Sequence, residues 1–207
     1  AKIIVEILFG MMHIHEKGMI HRDLKLENVM LNYVFESQIA DFGLVYVDNL
    51  SNSMSGNIGT YMYMSPEMKN NQKYDHKTDV FSFGVLFCAL FTRKFPKKSQ
   101  SKSEKAPLLL PQPDGKNISK FSIDLIQKCL SYEPSNRPDF NEILEDIYKN
   151  SFKLAQGIDS EIVLRRYCAL NRFKVINNKS RIMPTICPPQ TPHVGRTAKN
   201  PIIIKPF

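Results

Sequence analysis

The chain has no long hydrophobic run. Its longest, Val80 to Phe91, is twelve residues and carries Ser82 and Gly84, too short to cross a bilayer and better read as a buried helix. No charged-then-apolar leader precedes it; the chain starts at Ala1, inside an apolar-periodic segment, and reads as a fragment of something longer. Cysteine is sparse: Cys88, Cys129, Cys168 and Cys187 stand far apart with no Cys-x-x-Cys pair. That spacing argues against a zinc site or a dense disulfide framework and fits idle thiols in a reducing compartment. Acidic residues nearly vanish after residue 150. Residues 1–150 hold 18 Lys+Arg and 18 Asp+Glu, whereas residues 151–207 hold 10 and 2. The whole net charge of +8 therefore belongs to the tail, and the folded part is not expected to bind nucleic acid.

What is there is an amphipathic pattern with a core. Ile3, Ile4, Ile7, Leu8, Met11 and Ile14 recur at helical spacing, and Gly18 marks a stop. Short strands are expected at Met19-Ile20, Asn28–Leu31 and Gln38–Ala40, then a Ser-, Asn- and Gly-rich loop from Leu44 to Met64. Thr78–Phe91, apolar on nearly every side, reads as a central helix. A Lys-, Ser- and Pro-rich loop from Lys94 to Lys120 follows, then amphipathic helices over Phe121–Leu130 and Phe140–Phe152. No internal repeat is found. Beyond Ala155 the pattern decays, apart from a short helical stretch over Glu161–Tyr167. From Asn177 onward the prolines predict a largely disordered extension or linker.

Two polar blocks carry chemistry. Residues 21–28 read His-Arg-Asp-Leu-Lys-Leu-Glu-Asn, and Asp41-Phe42-Gly43 follows thirteen residues later. Asp23, on a turn after a short strand, is placed to accept a hydroxyl proton. Lys25 can neutralise a transferring phosphate. Asn28 and Asp41 offer hard oxygens suited to magnesium. Either block alone is unremarkable, since Asp-Phe-Gly occurs in ordinary turns. Their joint occurrence in order, with Lys and Asn at these offsets, points to phosphoryl transfer.

These blocks, with three more, resemble the protein kinase family over residues 1–150. Residues 21–28 look like the catalytic loop and Asp41-Phe42-Gly43 like the magnesium-binding motif. Gly59 to Glu67 is similar to the substrate-docking loop and Ala-Pro-Glu motif, with Ser65 for Ala. Asp79 to Gly84 resembles the Asp-x-Trp-x-x-Gly helix, with Phe81 for Trp, and Asn136-Arg137-Pro138 the late arginine motif.

The resemblance implies a mainly α large (C-terminal) lobe with a few short strands over residues 1–150, and a basic extension over 151–207. It implies ATP and Mg2+ as cofactors and a protein substrate. Asp23 would be the base, Lys25 the γ-phosphate contact, Asn28 and Asp41 the metal ligands, and Met30 the floor of the adenine site, backed by Leu86 and Leu90. Thr60 would brace the catalytic loop, Asp79 hold it from beneath, and Glu67 pair with Arg137. His21 and Phe42 would join an internal hydrophobic column.

Arg22 would clamp a phosphate on Ser51, Ser53 or Ser55, added by an upstream activating kinase. Glu27 would attract basic residues on a substrate. Lys25 and the surrounding motifs resemble serine/threonine kinases, with the tyrosine-kinase-like branch nearest in pattern; dual specificity stays open. A cytoplasmic location follows from the same resemblance. The family's Gly-rich phosphate loop, its strand lysine and the glutamate pairing with it have no match in these 207 residues. The N-terminal β-lobe is accordingly expected to be absent, and the isolated chain nearly inactive. The competing expectation is a non-catalytic module that docks partners through its helical face.

Overall fold

In a computed structural model, residues 2–47, 59–99, 103, 105–111, 118–150 and 202–203 are described. The first helix, α1 (Lys2–Glu16), buries Ile4, Ile7, Leu8, Met11 and Ile14 on one face. It ends where Gly18 adopts a φ of 66°, a left-handed turn that glycine takes without steric cost. Next come β1 (Met19–Ile20), a 3-10 turn over Leu26–Asn28, β2 (Val29–Leu31), β3 (Ser37–Ile39), a second 3-10 turn over Phe42–Leu44, and β4 (Tyr46–Val47). β1 pairs antiparallel with β4, and β2 pairs antiparallel with β3. The two polar blocks thus sit on turns joining short paired strands.

The helical body follows as α2 (Pro66–Lys69), α3 (Lys77–Thr92), α4 (Lys120–Cys129) and α5 (Phe140–Lys149). α3 is buried over almost its whole length, from Thr78 to Ala89. An Ala at Gly84 would bring its Cβ within 2.8 Å of the Cys129 Cβ, so this glycine sets how closely α4 approaches. Phe83 packs edge-on to Phe140 at 5.6 Å and tilted on Phe87 at 5.7 Å, joining α3 to α5. The result is a mostly helical unit with a few short strands.

Three differences from the sequence reading have simple causes. β4 and the one-turn α2 fall where no element was predicted, because two to four residues cannot display a period. Asn28 closes the 3-10 turn, so its strand starts one residue later, at Val29, and the partner strand, expected over Gln38–Ala40, pairs one residue earlier as Ser37–Ile39. In the extension, Ile202–Ile203 forms β5 and pairs antiparallel with Leu31 and Met30 of β2; regular structure was not expected there. The rest of the extension, including Glu161–Tyr167, lies outside the described residues. Among the described residues no helix is long and apolar enough to cross a membrane.

Candidate active site

Asp23 is buried, at 6% exposure, and its carboxylate is fully occupied. Oδ1 accepts from the Thr60 backbone N–H and hydroxyl, each at 2.9 Å. Oδ2 accepts from Lys25 Nζ at 2.6 Å and from Asn28 Nδ2 at 3.2 Å. Burial alone would raise the Asp23 pKa. The hydrogen bonds from Lys25 and Thr60, with the Lys25 charge, outweigh it and hold the carboxyl below its ordinary value of 3.8. Asp23 is therefore an ionised acceptor at neutral pH. Lys25 Nζ also reaches Thr60 Oγ1 at 2.9 Å, so one threonine braces both charged groups.

The backbone of this loop is fixed from beneath. Asp79, with no exposed surface, accepts from the N–H of His21 at 2.8 Å and of Arg22 at 2.9 Å. Arg22 sits at φ 68°, a conformation non-glycine residues adopt only when their surroundings impose it. The two bonds to Asp79 supply that constraint. His15 of α1 contacts the same carboxylate at 2.8 Å; nothing in the sequence marks this residue, because the contact crosses 64 positions. Tyr63 is a second unmarked support: its hydroxyl accepts from the Leu26 N–H at 3.4 Å, and burial pushes the phenol up to about 12.

Asp41 is brought alongside by its neighbour. The Ala40 N–H donates to the Asn28 carbonyl at 2.8 Å, and the Ala40 carbonyl lies 3.2 Å from His21 Nε2. The two blocks are thereby stitched together on one side of the molecule. Asp41 itself is exposed, at φ 64°, and among the described residues its side chain accepts only a long 3.3 Å bond from the Gly43 N–H. The Phe42 ring lies 5.5 Å from that of buried His21. The expected His21–Phe42 stack is therefore present, although Phe42 is 52% exposed and its outer face is open. Its 3-10 turn projects the ring outward.

The oxygens expected to hold magnesium fit that ion. Asn28 spends Nδ2 on Asp23, while its Oδ1 accepts no hydrogen bond from a described residue. Asp41 presents an open carboxylate. No cluster of three or more His, Cys, Asp or Glu that could hold a metal occurs among the described residues. Magnesium needs no such cage, because one or two protein oxygens plus substrate phosphates and water complete its shell.

Around this centre, Gly59 allows the close approach of the docking loop. With φ at 107°, its added Cβ would meet the Arg22 carbonyl at 2.6 Å. Glu67 and Arg137, both buried, form a two-pronged ion pair at 2.5 and 2.8 Å. Arg137 also donates to the carbonyls of Ser131, Tyr132 and Lys77. Arg22 Nε donates to the Leu44 carbonyl, and its guanidinium lies 5.4 Å from the Tyr46 ring centre. It thus ties the Asp23 turn to the segment leading toward Ser51, Ser53 and Ser55, which lie outside the described residues. Met30 is half-buried on β2, outside the apolar cluster that contains Leu86.

The chain is similar in sequence to known protein kinases. Serine/threonine/tyrosine-protein kinase HT1 of Arabidopsis thaliana is 32% identical over 167 residues, covering 76% of this chain and 41% of that protein. Serine/threonine-protein kinase STY46 of the same plant is 32% identical over 150 residues, 70% of this chain and 26% of that protein. The RGS domain-containing serine/threonine-protein kinase A of Dictyostelium discoideum is 34% identical over 160 residues, 72% and 14%. The chain spans less than half the length of each. Residues 1–149 match the protein kinase domain profile, and with that match covering well over half of its residues the chain belongs to the protein kinase family.

Proposed function

We propose that the protein is a serine/threonine kinase that transfers the γ-phosphoryl group of ATP to a protein hydroxyl, residues 1–150 forming its large lobe. The observation that carries this reading is the Asp23 carboxylate, ionised and held by Thr60 and Lys25, with Asn28 and Asp41 stitched alongside. Asp23 orients the substrate hydroxyl and takes its proton as the oxygen attacks phosphorus. Lys25, 2.6 Å away, places positive charge where the transferring group carries negative charge. Asn28 Oδ1 and the Asp41 carboxylate would hold magnesium, which when bound neutralises phosphate oxygens. Met30 lines the adenine side, and Lys25 with Thr60 keeps the base aligned.

Regulation would act through Arg22. Its guanidinium already reaches Leu44 and Tyr46, and a phosphate added to Ser51, Ser53 or Ser55 by an upstream kinase would draw the loop toward it. A reducing, cytoplasmic location fits the free, buried Cys88 and Cys129. Burial pushes their thiols up to about 11 and 12, which suppresses the reactive thiolate. The family's phosphate loop and its lysine strand would come from sequence outside these 207 residues. The lobe alone leaves the nucleotide in water, where electrostatic stabilisation is weak.

The test is phosphotransfer from Mg-ATP to serine-containing protein substrates by the longest in-frame gene product. Turnover that falls by about 10²–10⁴-fold in Asp23→Asn is expected, with little turnover from the 207-residue chain. Equal turnover by Asp23→Asn would refute the assignment of the base.

A further inference from the structure

A cavity of about 580 Å³ opens beside the docking loop. Its apolar wall includes Phe81 and Phe95, and its mouth carries Tyr61 and Met62, which are 65% and 53% exposed. Two lysines, Lys69 and Lys98, also line it, and no Asp or Glu does among the described residues. Lys69 is half-buried and lies 4.8 Å from the Tyr61 ring centre and 6.0 Å from that of Phe81. No ion pair joins it to a described residue. Burial, then the nearby Lys98 charge, lowers its pKa below the ordinary lysine value.

The Tyr61 and Phe81 rings lie within cation–π range of Lys69. Burial and the like charge of Lys98 nonetheless disfavour its charged form, and an anion seated at the two lysines relieves that repulsion. The cavity is also close to the proposed chemistry. Thr60, which bonds Asp23, directly precedes Tyr61. Extended peptide covers ~3.3 Å per residue, so a peptide whose acceptor hydroxyl sits at Asp23 reaches the mouth of the cavity within a few residues.

We infer that this cavity selects protein substrates carrying an acidic side chain, Asp or Glu, within a few residues of the phosphoacceptor, its carboxylate seated between Lys69 and Lys98. An aliphatic or aromatic neighbour in the peptide covers Tyr61 and Met62. The positive charge of the lining argues for an acidic occupant, and the exposed apolar mouth for an extended peptide. This specificity rests on the kinase reading for its acceptor position, but the binding itself does not need phosphotransfer.

Binding is measured by fluorescence anisotropy on the full 207-residue chain. The probes are serine peptides that place Glu, Gln or Lys at each position from one to four residues on either side of the serine. Glu peptides are expected to bind about five- to tenfold tighter than Gln peptides at one or two positions, the advantage shrinking in about 0.5 M salt. Lys69→Gln with Lys98→Gln abolishes the preference, and Lys69→Glu with Lys98→Glu shifts it toward Lys peptides. Lys98→Gln alone, at an exposed side chain, halves or better the Glu advantage without unfolding risk. Equal binding of Glu and Gln peptides, or a preference unmoved by these substitutions, overturns the inference. Phosphotransfer without charge preference would remove this inference and leave the kinase reading intact. Charge-selective binding without phosphotransfer by the longest gene product would do the reverse.

Discussion

The turn bearing Asp23 and the turn bearing Asp41 are neighbours built in opposite ways. Asp23 is buried, its carboxylate taken up by three residues and its loop held by Asp79 from below. Asp41-Phe42-Gly43 is exposed throughout, with one long bond at the aspartate side chain among the described residues. The half proposed to accept the proton is therefore finished by the fold of these residues. The half proposed to hold the metal presents oxygens and leaves their partners to the ligand. A base must be aligned to within fractions of an ångström, whereas a cation arriving with its phosphates completes its own shell.

That contrast can be broken at its most rigid point. Arg137→Ala leaves Glu67 buried and charged without a partner, and should cost about 3–5 kcal/mol of unfolding free energy. Chemical denaturation of the 207-residue chain measures it. A loss under ~1 kcal/mol would mean the frame beneath the Asp23 turn is not held by this pair.

A smaller effect concerns acid. Because the folded-state pKa of Asp23 lies below its ordinary 3.8, its ionised form contributes stability that is fully present above that value. The contribution is lost as pH falls through the folded pKa. The stability gap between wild type and Asp23→Asn should close as pH drops below about 3.8. A gap that stays constant down to pH ~2 would show that Lys25 and Thr60 do not favour the carboxylate.

The smallest expected effect is the most informative about the exposed turn. Asp41→Asn should leave unfolding free energy within about 0.5 kcal/mol of wild type while abolishing Mg-dependent phosphotransfer by the longest gene product. Loss of stability comparable with Arg137→Ala would erase the distinction between the turns.

Much of this was legible in the sequence because its elements are long or its residues chemically rare in combination. α1, α4 and α5 show through helical spacing, α3 through a run that is apolar on nearly every side, and Asp23, Lys25, Asn28 and Asp41 through order and offset. What stayed hidden depends on contacts between distant positions. His15 meets Asp79, and β4 returns to pair with β1 out of a loop with no period. The outward turn of Phe42 is hidden likewise, because an apolar residue in a motif reads as buried until its 3-10 turn is seen. Lys69 and Lys98 look like ordinary surface charges until the fold brings both to one cavity.

The most direct test of the converging site uses Mn2+ in place of Mg2+, with ATP, in the isotopically labelled longest gene product. Paramagnetic broadening should concentrate on Asn28, Asp41 and Gly43, reach Asp23 and Lys25, and leave α4 and α5 sharp. Broadening centred elsewhere, or confined to Asp41 with Asn28 and Asp23 untouched, would contradict a single triphosphate and metal site built from these two turns.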